Sequence, residues 1–221
     1  MPKATLKAAE DEFTQPKIIQ LRRIEDMVLT ADIEGVTPVI PHRWSEKSLR
    51  MMRDKQMSAS STARARKEPK NPDEEAHDSC YWLKVKGDDG TVSTKGAVPA
   101  TAFKAAMVGA CRFYEGITMT QAKLLFYVEG DGADQLVPIN GDPEMREDTP
   151  RNSGGTADLR YRMQFWPWSA RLRIHFLPSM IGPDSVLALL DAAGKGGVGD
   201  WRPSSPKSAT GTYGQFRVIE S

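Results

Sequence analysis

Hydrophobic and polar positions alternate most regularly between residues 157 and 176, ADLRYRMQFWPWSARLRIHF. Leu159, Tyr161, Met163 and Phe165 alternate with Arg160, Arg162 and Gln164. Beyond the WPWS turn, Leu172, Ile174 and Phe176 alternate with Arg171, Arg173 and His175. Period-two alternation on both sides of a short turn predicts a β-hairpin with one apolar face and one arginine face. Paired strands lie about 4.8 Å apart, so these like charges crowd together and need an anion beside them. Acidic residues of the same chain, a neighbouring subunit or phosphate would each serve.

The remaining pattern supplies the other elements. Residues 27–40, MVLTADIEGVTPVI, read as a strand, bent or doubled where Gly35 and Pro38 break it. Residues 42–57 place Trp44, Leu49, Met52 and Met57 at roughly helical spacing behind Ser45, a candidate N-cap. CYWLKV at 80–85 is a short strand. Residues 98–116 read as a helix, with Pro99 in its first turn, Gly116 as its stop and a stripe of small apolar residues. KLLFYVEG at 123–130 and LVPING at 136–141 read as strands joined by GDGADQ. A helix around Pro183, Asp184 and LALL stops at Gly194, and QFRVIE at 215–220 closes the chain as a strand. Two stretches carry almost no apolar content, 58–79 and 142–157, and both read as polar excursions.

Global composition narrows the function little, because 30 Lys and Arg face 29 Asp and Glu among 221 residues. Local charge says more. Residues 42–70 hold nine Lys/Arg, Arg64 and Arg66 among them, against three Asp/Glu; residues 129–148 hold seven acids against one arginine. The basic run fits a solvated loop, a nucleic-acid contact or a subunit-contact arm. The acids scatter over turn residues, which fits a solvated loop better than a metal site. Cys80 and Cys111 lack CxxC spacing and fit two inert thiols in a reducing cytoplasm. No apolar run is long enough to span a bilayer, and residues 1–26 read as a polar arm without a signal-peptide core.

The stretch GKGGVGDWRPSSPKSATGTYGQF, from Gly194, tests one chemistry directly. A phosphate-binding loop needs GxxxxGK[ST] between a strand and a helix N-terminus. Here Lys195-Gly196-Gly197-Val198-Gly199 runs into Asp200-Trp201, so the lysine and the magnesium-binding hydroxyl are missing. The loop also follows a helix, where the dipole is negative. Nucleotide hydrolysis is excluded. The glycines instead permit close approach to another backbone, with Lys195, Arg202 and Lys207 supplying charge and Tyr213 an outward ring. A clamp on a polymer backbone and an ordinary surface loop both fit. No HExxH, Cys/His cluster, GxSxG or paired-carboxylate motif occurs, and His42, His77 and His175 have no sequence companions, so neither an enzyme nor a bound cofactor or metal is expected.

Two pieces of sequence resemble the RAMP superfamily, the ferredoxin-like RNA-binding subunits of CRISPR effector complexes. One is the glycine-rich loop before a terminal strand; the other is VPATAFKAAMVGA, similar to that superfamily's entry to its first helix. The resemblance covers about 130 residues in pieces. It implies an α+β fold, a ferredoxin/RRM-like βαββαβ core with long loop insertions, at about 41–79 and 129–157, in one domain spanning 27–221. That superfamily's ribonucleases need a catalytic histidine or a loop aspartate, and His42, His77 and His175 have no obvious companions here. HRWSEK, EMREDTPR and GVGDWRPSS…GTYGQF also resemble proteins encoded by tailed phages and prophages.

The expected function is binding of single-stranded RNA or DNA without chemistry, by a homo-oligomer in the cytoplasm, the host's if phage encoded. Arg160, Arg162, Arg171, Arg173, His175, Lys195, Arg202, Lys207, Arg64 and Arg66 would hold the backbone, with Tyr213 and one or more of Trp44, Trp82, Trp166, Trp168 and Trp201 available to stack on bases. A phage structural or assembly protein, using the same surfaces between subunits, is the alternative.

Overall fold

A computed structural model describes residues 21, 23–57, 71–87, 89–150, 155, 157–206 and 209–219. Its centre is a four-stranded antiparallel sheet in the order β4-β8-β1-β9, made of Phe126–Glu129, Ser169–Phe176, Met27–Gly35 and Phe216–Val218. Helix α3 (Ala100–Ala110) lies between β1 and β4 in the chain, and α5 (Pro183–Gly196) between β8 and β9. Read as β1-α3-β4-β8-α5-β9, the core is a βαββαβ unit with its first and third strands side by side in the centre. The fold is therefore α+β and ferredoxin-like, as expected.

The alternation along β8 builds this core. Ala170, Leu172, Ile174 and Phe176 are all buried and meet Ala31 and Ile33 of β1 and Phe126 and Val128 of β4. Helix α3 turns Phe103, Ala106, Met107 and Ala110 into the same core, and α5 adds Val186, Leu189, Leu190 and Ala193. The small residues on α3 let it run close to α5. Both helices share one face of the sheet. The other face carries the charged residues of the strands.

Two long insertions elaborate the core. The first, between β1 and α3, holds helix α1 (Glu46–Met57), helix α2 (Pro72–Asp78) and strands β2 (Tyr81–Lys86) and β3 (Val92–Pro99). The second, between β4 and β8, holds β5 (Leu136–Pro138), β6 (Pro143–Asp148) and β7 (Arg160–Phe165). β2, β3 and β5 form a three-stranded sheet, and β6 pairs with β7. Ser45 accepts from the Ser48 amide at 3.2 Å, so it caps α1 as its position implies. No helix of the described residues is long and apolar enough to cross a membrane.

The hairpin expected across residues 157–176 does not form. Both strands exist, but β7 pairs with β6, while β8 lies between β1 and β4. The intervening turn, with a cis Trp166–Pro167 bond, hands the chain from one sheet to the other. Alternation specifies a strand and its buried face; it does not name the partner, and two better partners existed for β8. Residues 123–130 also divide, with helix α4 (Met119–Leu125) ending where β4 begins. The acidic run contains strand β6, and the polar run before Tyr81 contains α2.

Candidate nucleic-acid interface

Because β7 and β8 belong to different sheets, the expected single arginine face becomes two sites. Arg171, Arg173 and His175 stand on the open face of the central sheet, joined there by Arg217 of β9. Each faces a carboxylate. Arg171 donates to both oxygens of Asp32 at 2.8 and 3.0 Å, Arg173 to Glu129 at 2.7 Å and Arg217 to Glu34 at 2.6 Å. The two ring nitrogens of His175 lie 2.8 Å from Asp26 and 2.7 Å from Glu129. The Arg171 hydrogen bonds hold the Asp32 carboxyl below its ordinary range. For His175 burial works against the charged form, but the bonds to Glu129 and Asp26 outweigh it and raise its pKa. Three arginines and a histidine thus meet four acids, and the crowding inferred from sequence is relieved within the chain.

The second site lies where the β6–β7 pair meets the glycine-rich loop. Arg146 and Arg162 sit directly opposite each other on the two strands. Like charges at that spacing are unfavourable alone. Arg146 is held by Asp148, with contacts of 2.6 to 3.1 Å, and donates to Gln164 at 2.9 Å. Its guanidinium lies 4.8 Å from the centre of the Tyr213 ring and 5.2 Å from that of Trp201. Arg162 lies 4.8 Å from the Trp201 ring, and its Nη1 is 3.0 Å from Asp200 Oδ2. Two cation–π contacts therefore share one tryptophan. Arg162 is 7% exposed, not on an open face as the alternation implied, because the loop folds over it.

Asp200 ties this site to a third element, since His42 Nδ1 also lies 3.0 Å from Oδ2. Burial opposes its charge, yet the His42 hydrogen bond and the guanidiniums of Arg162 and Arg202 keep its pKa below the ordinary value. Burial pushes the Cys80 thiol up to about 12, which makes it unreactive.

The glycine-rich loop follows α5 and precedes β9, the order that excludes a nucleotide cradle. Its glycines do bring two backbones together, and both belong to this chain. The Gly214 amide donates to Pro38 at 2.7 Å, Asp200 to Ile40 at 2.8 Å and Val198 to Gly214 at 3.0 Å. Gly214 has φ +68°, and a Cβ there would overlap the Val198 carbonyl. Arg202 folds back onto the Gly199 carbonyl at 2.8 Å.

Among the remaining expected residues, Arg160 pairs with Asp158 at 3.0 Å and Lys195 is exposed in the last turn of α5. Arg64, Arg66 and Lys207 lie outside the described residues, as does most of the polar run that begins at Ser58. Trp168 is buried and donates to the Thr37 carbonyl at 2.8 Å; Trp82 stacks on His77. Among the described residues no group of three His, Cys, Asp or Glu is arranged to hold a metal ion.

Comparison with known proteins places two solved structures beside this fold. A chain of the type III-B Cmr-beta complex bound to cognate target RNA is 10% identical with a TM-score of 0.43, the match covering 88% of this chain and 59% of the other. Cmr6 from Pyrococcus furiosus is 9% identical with a TM-score of 0.40, covering 89% of this chain and 100% of that one. This chain spans 59% of the length of the first. No protein-family model matches, and neither does any curated protein.

Sequence reasoning missed Arg146, Asp148, Asp200 and His42 as members of one cluster. Their separation along the chain, 42 to 200, leaves no local spacing to read. The aromatic–glycine pattern around Trp201 and Tyr213 was the single visible signal.

Proposed function

We propose that this protein binds single-stranded nucleic acid without catalysing a reaction. The observation that carries this reading is helix α1. It has 12 residues and buries none of them. A helix of that length is marginal in water unless something packs on it. Four of its residues, Lys47, Arg50, Arg53 and Lys55, are cations, against Glu46 and Asp54, and it leads into the run containing Arg64 and Arg66. A polyanion matches that charge. Arg160, Lys195, Arg202 and Tyr213 supply further candidate contacts, while Arg171, Arg173 and His175 of the open sheet face are already held by carboxylates. Arg162 acts by holding the loop.

Fluorescence anisotropy with a labelled single strand, over a salt series, tests the reading. Arg50→Ala with Arg53→Ala should lower the log–log salt slope by about 1.4, at roughly 0.7 per lost phosphate contact. An unchanged slope moves the site away from α1, and no binding by wild type at low salt removes the function.

A second reading is an assembly protein whose copies meet through these surfaces. The charge balance of the open sheet face favours it, because such a face does not repel its own copy. Light scattering separates the two: a stable oligomer that ignores nucleic acid supports assembly.

A further inference from the structure

One feature of the open sheet face is not explained by charge. Tyr127 of β4 and His175 of β8 are directly opposite each other. Their rings are nearly parallel, 12° apart in tilt, with centroids 4.3 Å apart. That separation is close to the spacing of neighbouring strands, about 4.8 Å. The rings therefore stand side by side on the sheet, and His175 covers the inner face of Tyr127. His175 is fixed in turn, because Asp26 and Glu129 hold its two nitrogens. β4 is the outermost strand on that side of the sheet. The outer face of the tyrosine ring thus looks away from the sheet, and Tyr127 stays 47% exposed although one face is covered.

We propose that Tyr127 is a stacking platform for an unpaired nucleobase. This rests on the nucleic-acid reading above and names the part of the polymer that the sheet recognises. The charge pattern decides for the base over the phosphate. Arg171, Arg173, Arg217 and His175 already have carboxylate partners, so a phosphate arriving here displaces one of them. A base brings no charge and displaces nothing. Aromatic stacking asks only for a flat, pre-positioned ring with a free face, which accommodates any base. Beside the platform, the Arg173–Glu129 pair offers donors and acceptors to the base edge. A base inside a duplex has both faces covered by its neighbours, so the platform selects single strands.

Three probes of equal length test this on the full chain: a pyrimidine single strand, the same sugar–phosphate chain without bases, and the duplex. Wild type should bind the base-carrying strand more tightly than the abasic one, by about 5- to 150-fold per stacked base. It should also prefer that strand to the duplex. Tyr127→Ala should abolish the preference for bases while leaving abasic affinity unchanged, and Tyr127→Phe should keep it. If Tyr127→Ala loses its circular-dichroism signature, Tyr127→Leu, which keeps apolar bulk without a π-face, takes its place. Equal binding of base-carrying and abasic strands by wild type overturns the platform while leaving the nucleic-acid reading standing. A preference that survives loss of the ring overturns it as well. If no probe binds at low salt, the nucleic-acid reading falls and the platform with it.

Discussion

Asp200 is a single carboxylate that three elements depend on: the segment after β1 through His42, β7 through Arg162 and the glycine-rich loop that carries it. Arg162 is nearly buried, so removing its counter-charge leaves its guanidinium with the Trp201 ring but without the carboxylate. Breaking a buried pair costs about 3–5 kcal/mol, and Asp200→Ala should fall at the lower end because the carboxylate is 25% exposed. Urea unfolding measures this; a change below about 1 kcal/mol, the worth of a surface pair, shows that Arg162 finds another partner. His175 and Asp32 give opposite pH signs. His175 has a raised folded pKa, so its stabilising contribution is complete below the unfolded value, about 6.5, and is lost as pH rises through the folded one. Asp32 has a lowered pKa, so its contribution is complete above about 3.9 and is lost as pH falls through the folded value. An NMR titration should place the His175 midpoint above about 6.5 and shift it down in Asp26→Asn. A midpoint unmoved by that substitution rejects the Asp26 contact.

At the scale of elements, local signals and partner choice separate cleanly. The bent first strand, α1 with its Ser45 cap, α5 and the terminal strand were legible, because apolar period and caps are local. Three of the missed elements carried weaker local signals. Asn71 accepts from the Asp73 amide with Pro72 in the first turn, a start signal for α2 hidden inside a charged run. Thr118 and Gln121 form a capping box for α4, whose last residues merge into the apolar run of β4. Strand β6 is nearly all polar and owes its strand to pairing with β7, which no local pattern states. Thr118→Ala should therefore cost about 1 kcal/mol in thermal unfolding. Gly214→Ala should cost more: the positive φ alone is worth about 1–3 kcal/mol, before the clash with Val198. If the alanine variant melts with wild type, the loop has repacked and the tight crossing at Pro38 is not required.

Across the whole molecule the arginine pattern shows what the fold does to a sequence motif. Arg160, Arg162, Arg171 and Arg173 look equivalent along the chain. Their placement in two sheets gives one pair to the open face and leaves Arg162 as a buried support. The open-face and loop sites were thus half legible: the residue types could be read, but their grouping depended on strand pairing over long separations. The same topology has a consequence for how the protein is made. The central strand β1 pairs on one side with β8 and on the other with β9, where Ile33 meets Val218. At about 5–20 residues per second, a ribosome that has finished β1 needs roughly 10–40 s more to supply its last partner. Through that interval one edge of a strand that is central in the finished sheet stands open. Synthesis of β9, rather than completion of β1 itself, therefore sets when the core can close.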